Sequence, residues 1–197
     1  MTGAVRTFVT RCSLVVRPVN LWTGRPPTGS ALVVRLKESA RAPIRTSDGS
    51  YAFLDYPGCA GTLLVTSPYY LTTEMPLDWS ASEQSAPIVD IVLRPNRLYP
   101  APAAATGFRF RVLDGSGSST CGADVTASVS GKGKNADQLQ ITTWSDEQGF
   151  VVLPMPGRLP PSAAVRVNVA FGGRSAQAEW KTEPGSVIDM PDVRLSP

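Results

Sequence analysis

Hydrophobic and polar residues alternate along this chain in short runs. Val165, Val167, Val169 and Phe171 stand two apart, as do Tyr51 and Phe53. That is the period of a strand with one buried face. No segment sustains a 3.6-residue period, and the runs end at Gly, Pro, Asn or Asp. The pattern predicts strands near residues 8–17, 30–37, 42–46, 50–54, 60–67, 72–78 and 88–94. It predicts seven more near 107–113, 122–130, 138–144, 149–153, 163–171, 174–181 and 187–195. Two runs of seven strands suit two tandem antiparallel β-sandwiches, each burying one face of each sheet against the other.

Repeated blocks support the duplication. Asp90-Ile91-Val92-Leu93-Arg94-Pro95 matches Asp192-Val193-Arg194-Leu195-Ser196-Pro197. In each, two apolar residues two apart share a face, and a Pro closes the strand by removing a ladder donor. Upstream, Ser47-Asp48-Gly49-Ser50-Tyr51-Ala52-Phe53-Leu54 parallels Ser145-Asp146-Glu147-Gln148-Gly149-Phe150-Val151-Val152-Leu153, each followed by Pro-Gly. On this alignment Tyr51/Phe53 and Phe150/Val152 point to the two cores. Residues 96–106, rich in Pro and Ala, read as a semi-rigid linker between domains at 1–95 and 107–197. Residues 1–7 are expected as an N-terminal arm that could dock on a partner, and 131–137 as an extra polar loop in the second copy.

The 197 residues suffice for two small cores, and the 42% hydrophobic content is that of globular chains. A net charge of +3, with Lys and Arg scattered, lacks the clustered stripe of a nucleic-acid surface. No run of apolar residues is long enough for a membrane span. Arg6, Arg11 and Arg17 are spaced through the first segment rather than placed ahead of an apolar core, so no secretory signal is read there. The expected location is the cytosol or an assembled particle.

Histidine is absent, which removes the usual general base, the Ser-His-Asp and Cys-His arrangements, and most metal ligation. Cys12, Cys59 and Cys121 form no CxxC pair and are expected as isolated reduced cysteines. Asp48 with Asp55, or Asp146 with Glu147, could approach a calcium ion, but the dense spacing of such loops is missing and turn chemistry is the better reading. Lys132 and Lys134 lack a phosphate-loop context. No enzyme activity, cofactor or metal is expected.

The segment Thr23-Gly24-Arg25-Pro26-Pro27-Thr28-Gly29-Ser30-Ala31-Leu32-Val33, then Asp48-Gly49-Ser50-Tyr51-Ala52-Phe53, then Pro57-Gly58, Leu63-Leu64-Val65, Pro68-Tyr69-Tyr70 and Ile88 to Leu93, resembles the carboxypeptidase regulatory-like domain. That family lies within the transthyretin-like (prealbumin-like) sandwiches. The resemblance covers nearly all of the first half. In the second, Gly149 comes three residues after Asp146 and the Gly-Tyr step is missing. It implies a small non-catalytic sandwich used as spacer, stabiliser or interaction module, with no shared ligand. Related collagen-adhesin sandwiches form a Lys-to-Asn bond between first and last strands. Here the first strands offer Arg11, Arg17, Arg109 and Arg111, and neither last strand has Asn, so that staple is not expected.

The function read from these features is a non-catalytic structural or adaptor protein of a larger assembly, such as a phage tail, contractile injection particle or surface complex, acting through protein–protein contacts. The alternative is a glycan- or surface-ligand-binding module using Trp22, Tyr69, Tyr70 and Trp79 as stacking platforms. Of these, Trp22 is expected to be exposed, Tyr70 to pack beneath its strand, and Trp79 to serve either role. Trp144 and Trp180 are expected in the core.

Overall fold

A computed structural model describes residues 9–27, 31–79, 86–130, 139–157, 159 and 163–196. The arm at 1–7 and the loop at 131–137 lie outside the described residues. Fifteen strands and no helix are seen among those described: β1 (Cys12–Asn20), β2 (Val33–Leu36), β3 (Ile44–Arg45), β4 (Tyr51–Leu54), β5 (Ala60–Thr66), β6 (Thr73–Asp78), β7 (Ile88–Leu93), β8 (Thr106–Leu113), β9 (Asp124–Ser130), β10 (Gln140–Trp144), β11 (Phe150–Met155), β12 (Ala164–Phe171), β13 (Arg174–Lys181), β14 (Val187–Asp189) and β15 (Val193–Arg194). The fold is all-β and sandwich-like.

The chain divides into two compact units. Unit 1 comprises Met1–Val19, Pro26–Ser67 and Thr72–Val92; unit 2 comprises Asn20–Arg25, Pro68–Leu71 and Leu93–Pro197. In the first run of strands one sheet has the order β3-β4-β1-β7 and the other β2-β5-β6. In the second the orders are β11-β8-β14, with β15 also on β8, and β10-β9-β12-β13. The pairing plan is the same except for the third strand. β3 joins β4, through Ile44↔Ala52 and Arg45↔Tyr51. Its counterpart β10 joins β9 in the opposite sheet, from Gln140↔Ser128 to Trp144↔Asp124.

The sandwiches are not wholly antiparallel. β14 and β15 both run parallel to β8. The bonds from the Val15 amide to the Pro87 carbonyl and from the Leu21 amide to the Leu93 carbonyl keep one sequence offset, the mark of the same parallel arrangement between β1 and β7. The last strand of the second unit is one run in the sequence reading but two in the structure, interrupted at Met190-Pro191-Asp192, where Pro191 has no amide to donate.

Buried residues in unit 1 include Leu14 and Val16 of β1, Leu36, Phe53, Leu63, Val65 and Ile91. β1 begins four residues later than its pattern suggested and continues through Pro18. The ladder to β4 ends at Val16↔Tyr51, so the missing Pro18 amide breaks no bond on that side. In unit 2, Phe108, Phe110 and Val112 meet Val125, Ala127, Val129, Val151, Leu153, Met155, Val165, Val167 and Val169 in one cluster. Trp180 closes it, its ring centroid 5.4 Å from Phe108 and 4.9 Å from Phe110. Such pairs contribute roughly 0.5–1.5 kcal/mol each beyond area burial. Phe171 departs from the expected face and is 46% exposed at the strand end.

The turn before β4 corrects the alignment of the two runs. The Thr46 amide donates to the Ser50 carbonyl and the Gly49 amide to the Thr46 carbonyl. Before β11, the Asp146 amide donates to the Phe150 carbonyl and the Gly149 amide to the Asp146 carbonyl. Gly49 therefore matches Gly149, with φ of +87° and +76°, and Tyr51 matches Val151. Aligning the aromatic residues instead slips the strand by one and exchanges its faces. Val151 and Leu153 face the core cluster, while Phe150 and Val152 lie on the opposite face, opposite Arg111 and Arg109 in register.

Candidate functional site

Three of the four aromatic residues expected as platforms are buried. Trp79, in unit 1, is buried and packs on Tyr56 at 5.6 Å between centroids. Trp22 and Tyr70, in unit 2, are also buried. Trp22 stacks on Tyr99 at 5.8 Å and 24°, and Tyr70 meets the same ring at 5.2 Å. Only Tyr69 is exposed, at 36%. The expectation that Trp22 is open to solvent is corrected. Gly107, without a Cβ, lets the Trp22 ring lie directly on β8; an added Cβ would sit 3.0 Å from its Cζ2.

Asn20 organises this cluster. It is buried, and its Nδ2 donates to the Tyr70 hydroxyl at 2.9 Å and the Tyr99 hydroxyl at 2.6 Å, while Oδ1 accepts from the Trp22 amide at 2.7 Å. Pro95 bridges Tyr70, and the Leu71 amide donates to the Arg94 carbonyl. These bonds tie residues 20–25 and 68–71 to the stretch after Leu93, all within unit 2; Asn96 and Tyr99 are half-buried there, while Arg97 and Leu98 are exposed. Arg94 extends the cluster, its guanidinium 4.5 Å from the Trp144 ring and its Nε donating to the Thr142 carbonyl at 3.0 Å. Burial pushes the Arg94 pKa down from the ordinary arginine value. Trp144 is half-buried beneath it, and Trp180 is in the core as expected.

A second feature of unit 2 is an open cleft of about 220 Å³ on the outer face of the sheet β11-β8-β14. Arg97, Arg109, Arg111, Phe150, Asp189 and Asp192 are among its lining residues. Side chains at alternate positions of β8 share that face, which brings Arg109 and Arg111 out together while Phe108 and Phe110 turn inward. The Arg97 guanidinium carbon lies 5.5 Å from the Phe150 ring centre, and that of Arg111 5.2 Å. An Arg111 terminal nitrogen donates to Ser119 Oγ at 2.6 Å. Nε of both Arg109 and Arg111 is buried without a hydrogen-bond partner. The sequence names Arg109 and Arg111 only as the wrong residues for a Lys-to-Asn bond; their joint outward placement follows from the strand period.

The inward positions of the first strands, Leu14, Val16, Phe108, Phe110 and Val112, are apolar, as are Ile91, Leu93, Val193 and Leu195 on the last. Neither unit holds a Lys at the place such a covalent staple needs. Asp48 and Asp146 are occupied by their own turns, and Asp55 by the start of the first strand. Asp48 accepts from the Ser50 amide and hydroxyl and from the Thr46 hydroxyl, which holds its carboxyl below the ordinary aspartate value. Asp55 accepts from the Arg11 amide, and Asp146 from the amides of Gln148 and Phe150. Among the described residues no three His, Cys, Asp or Glu side chains gather as metal ligands. Cys12, Cys59 and Cys121 are free, the last two exposed in turns rather than on strands.

Edge strands are the remaining surface of note. β6 carries Pro76, and β10 has its Thr142 carbonyl covered by Arg94; both devices discourage pairing with another chain. Val33 on β2 (58% exposed), Ile44 on β3 (55%) and Ile88 on β7 (58%) lie instead on edges of unit 1 with apolar side chains outward.

No family model matches the chain, and a search of curated proteins finds no match. The structure is similar to the Bacillus anthracis TIE protein (TM-score 0.31, 11% identity), covering 93% of this chain and 34% of that one. It is also similar to the shaft pilin SpaA of Lactobacillus rhamnosus GG (0.32, 12%, covering 95% and 98%). A Streptococcal ancillary pilin gives 0.36 at 10% identity, covering 92% and 68%. The chain thus spans about a third of the TIE protein. Likeness of this degree carries no argument about function.

Proposed function

We propose that this chain is a non-catalytic structural or adaptor subunit of a larger assembly, joined to its partners through sheet edges. The observation that carries the reading is the placement of Val33, Ile44 and Ile88. Each is a large apolar side chain more than half exposed, and each stands on an edge strand of unit 1. An exposed edge with apolar side chains is a template for strand addition, where backbone bonds give affinity and alternate side chains give specificity. Each is already partly covered, so burying the remainder on a partner gains about 1–1.5 kcal/mol apiece.

The test is sedimentation of the tagged chain in native extracts of its source, with native mass measurement of the purified species. Wild type is expected in a particle of defined stoichiometry. The Val33→Lys, Ile44→Lys, Ile88→Lys triple variant, checked for folding by circular dichroism, is expected as a monomer. Wild-type protein that stays monomeric at every concentration and in its own extract overturns the proposal.

A further inference from the structure

We infer that the arginine cleft of unit 2 is a receptor for a carboxylate, presented by a Glu or Asp side chain of a partner protein. The inference rests on the assembly reading for the identity of its occupant, but on separate residues. Three arginines and two aspartates line the cleft, a formal excess of one positive charge. Yet no Asp or Glu oxygen comes within 4.0 Å of a guanidinium nitrogen of Arg97, Arg109 or Arg111 among the described residues. Asp189, in register with Arg109, and Asp192 offset part of the charge at a distance, and the guanidiniums keep their N–H edges free of any direct carboxylate contact from those residues.

The way the guanidiniums are held points to the same ligand. Arg97 and Arg111 both lie against the ring of Phe150. Contact with a ring face fixes the guanidinium plane and leaves its N–H edge for bonding in the plane, the geometry that a carboxylate meets with two parallel bonds. Arg109 and Arg111 each keep an Nε buried against the sheet with no acceptor. An unsatisfied buried donor is a cost that folding alone does not explain. Val152, buried on the same face, gives the cleft an apolar floor on which an ionic bond is less weakened by water.

Charge and size select among anions. A carboxylate carries one negative charge and balances the excess of one. A phosphate dianion overbalances it and meets the carboxylates of Asp189 and Asp192 as like charges. The volume of about 220 Å³ is below the about 300–1,000 Å³ of sites that engulf free small molecules. It suits the end of a side chain whose backbone stays outside.

The experiment uses the full chain and an N-acetylated, C-amidated Ala-Ala-Glu-Ala-Ala peptide as probe, with a single carboxylate, titrated by isothermal calorimetry at 20 mM and 200 mM salt. Saturable 1:1 binding is expected, weaker at the higher salt as screening shortens the field. Arg111→Gln and Phe150→Leu are each expected to weaken it at least tenfold, whereas Arg45→Gln in unit 1 leaves it unchanged. Because strand variants can fail to fold, Arg97→Gln, on an exposed loop residue, provides the same reading and is expected to weaken binding at least fivefold. No binding, equal binding by Arg97→Gln, or tighter binding of inorganic phosphate than of the peptide each overturns the inference. Peptide binding that survives in a chain found to be always monomeric sinks the assembly reading and leaves the carboxylate site standing. A particle that forms normally while the peptide fails to bind does the reverse.

Discussion

Gly149→Ala separates conformational strain from steric exclusion within a single turn. Gly149 has φ +76°, and an added Cβ would lie 2.8 Å from the Val112 carbonyl oxygen, 3.1 Å from Ser119 Cβ and 3.2 Å from the Thr120 amide. Two of these neighbours are backbone and cannot swing aside. Gly122, in the same unit, has φ +72° and nothing within 4 Å of such a Cβ. Left-handed backbone costs an L-residue about 1–2 kcal/mol, offset by about 0.4–1 kcal/mol because alanine restricts the unfolded chain. Gly122→Ala is therefore expected to lose about 1 kcal/mol. Gly149→Ala bears the same strain plus overpacking of about 1–3 kcal/mol, for a total of about 2–4 kcal/mol. Gly49, its counterpart in unit 1, has φ +87° and only Pro26 Cβ near, at 3.4 Å; its alanine variant should behave like that at Gly122. In thermal unfolding followed by near-ultraviolet circular dichroism, about 4–8 °C per kcal/mol for a unit of this size places the Gly149 variant roughly 4 °C or more below the Gly122 variant. Equal midpoints for Gly149→Ala and Gly122→Ala would refute the reasoning, since the two differ only in what surrounds the new methyl group.

Other substitutions probe the polar cluster and the surface. Asn20→Leu removes both tyrosine contacts and the acceptor for the Trp22 amide, and should cost about 2–4 kcal/mol in urea unfolding; a loss under 1 kcal/mol would show that Asn20 does not organise the cluster. Arg94→Ala loses the Trp144 contact and exposes the Thr142 carbonyl, so a stability loss of about 1 kcal/mol should accompany concentration-dependent light scattering. The carboxyls of Asp48, Asp90 and Asp114 are held below the ordinary aspartate value, by the Thr46 hydroxyl, the Arg17 guanidinium and the Ser116 hydroxyl respectively. Folded-state values below the unfolded ones mean that their contribution is complete above the ordinary aspartate range and disappears as pH falls through and beneath it. Asp114→Asn should therefore lower stability at neutral pH, leave it little changed at acid pH where the wild-type contribution is already lost, and so flatten the acid limb between the two.

The alternation of apolar residues was enough to place most strands, because a two-residue period has only one structural meaning when helical spacing is absent. Face assignment failed at β11. There Phe150 attracts the eye as the mate of Tyr51, yet the left-handed glycine, not the ring, fixes the register. The burial of Trp22 was missed for a related reason. Gly107 inside a strand is the sign that something approaches closely, but the sequence does not say which side chain arrives. Segments 20–25, 68–71 and 94–99 meet only through long-range packing, so a Pro/Ala stretch read locally looks like a spacer. The arginine pair on β8 was legible as a shared face. The ring of Phe150 beside it was not, since that required the correct register of a neighbouring strand.

The differing allegiance of β3 and β10 makes two similarly wired units unequal in use. With Ile44 and Arg45 laid alongside it, Tyr51–Leu54 is an interior rung whose flank is taken. Among the described residues Phe150–Met155 has no such companion, and its opening ring stays within reach of loop side chains. Moving one short ribbon from one sheet to the other thus turns a wall into a window while the greasy centre behind it is left as it was.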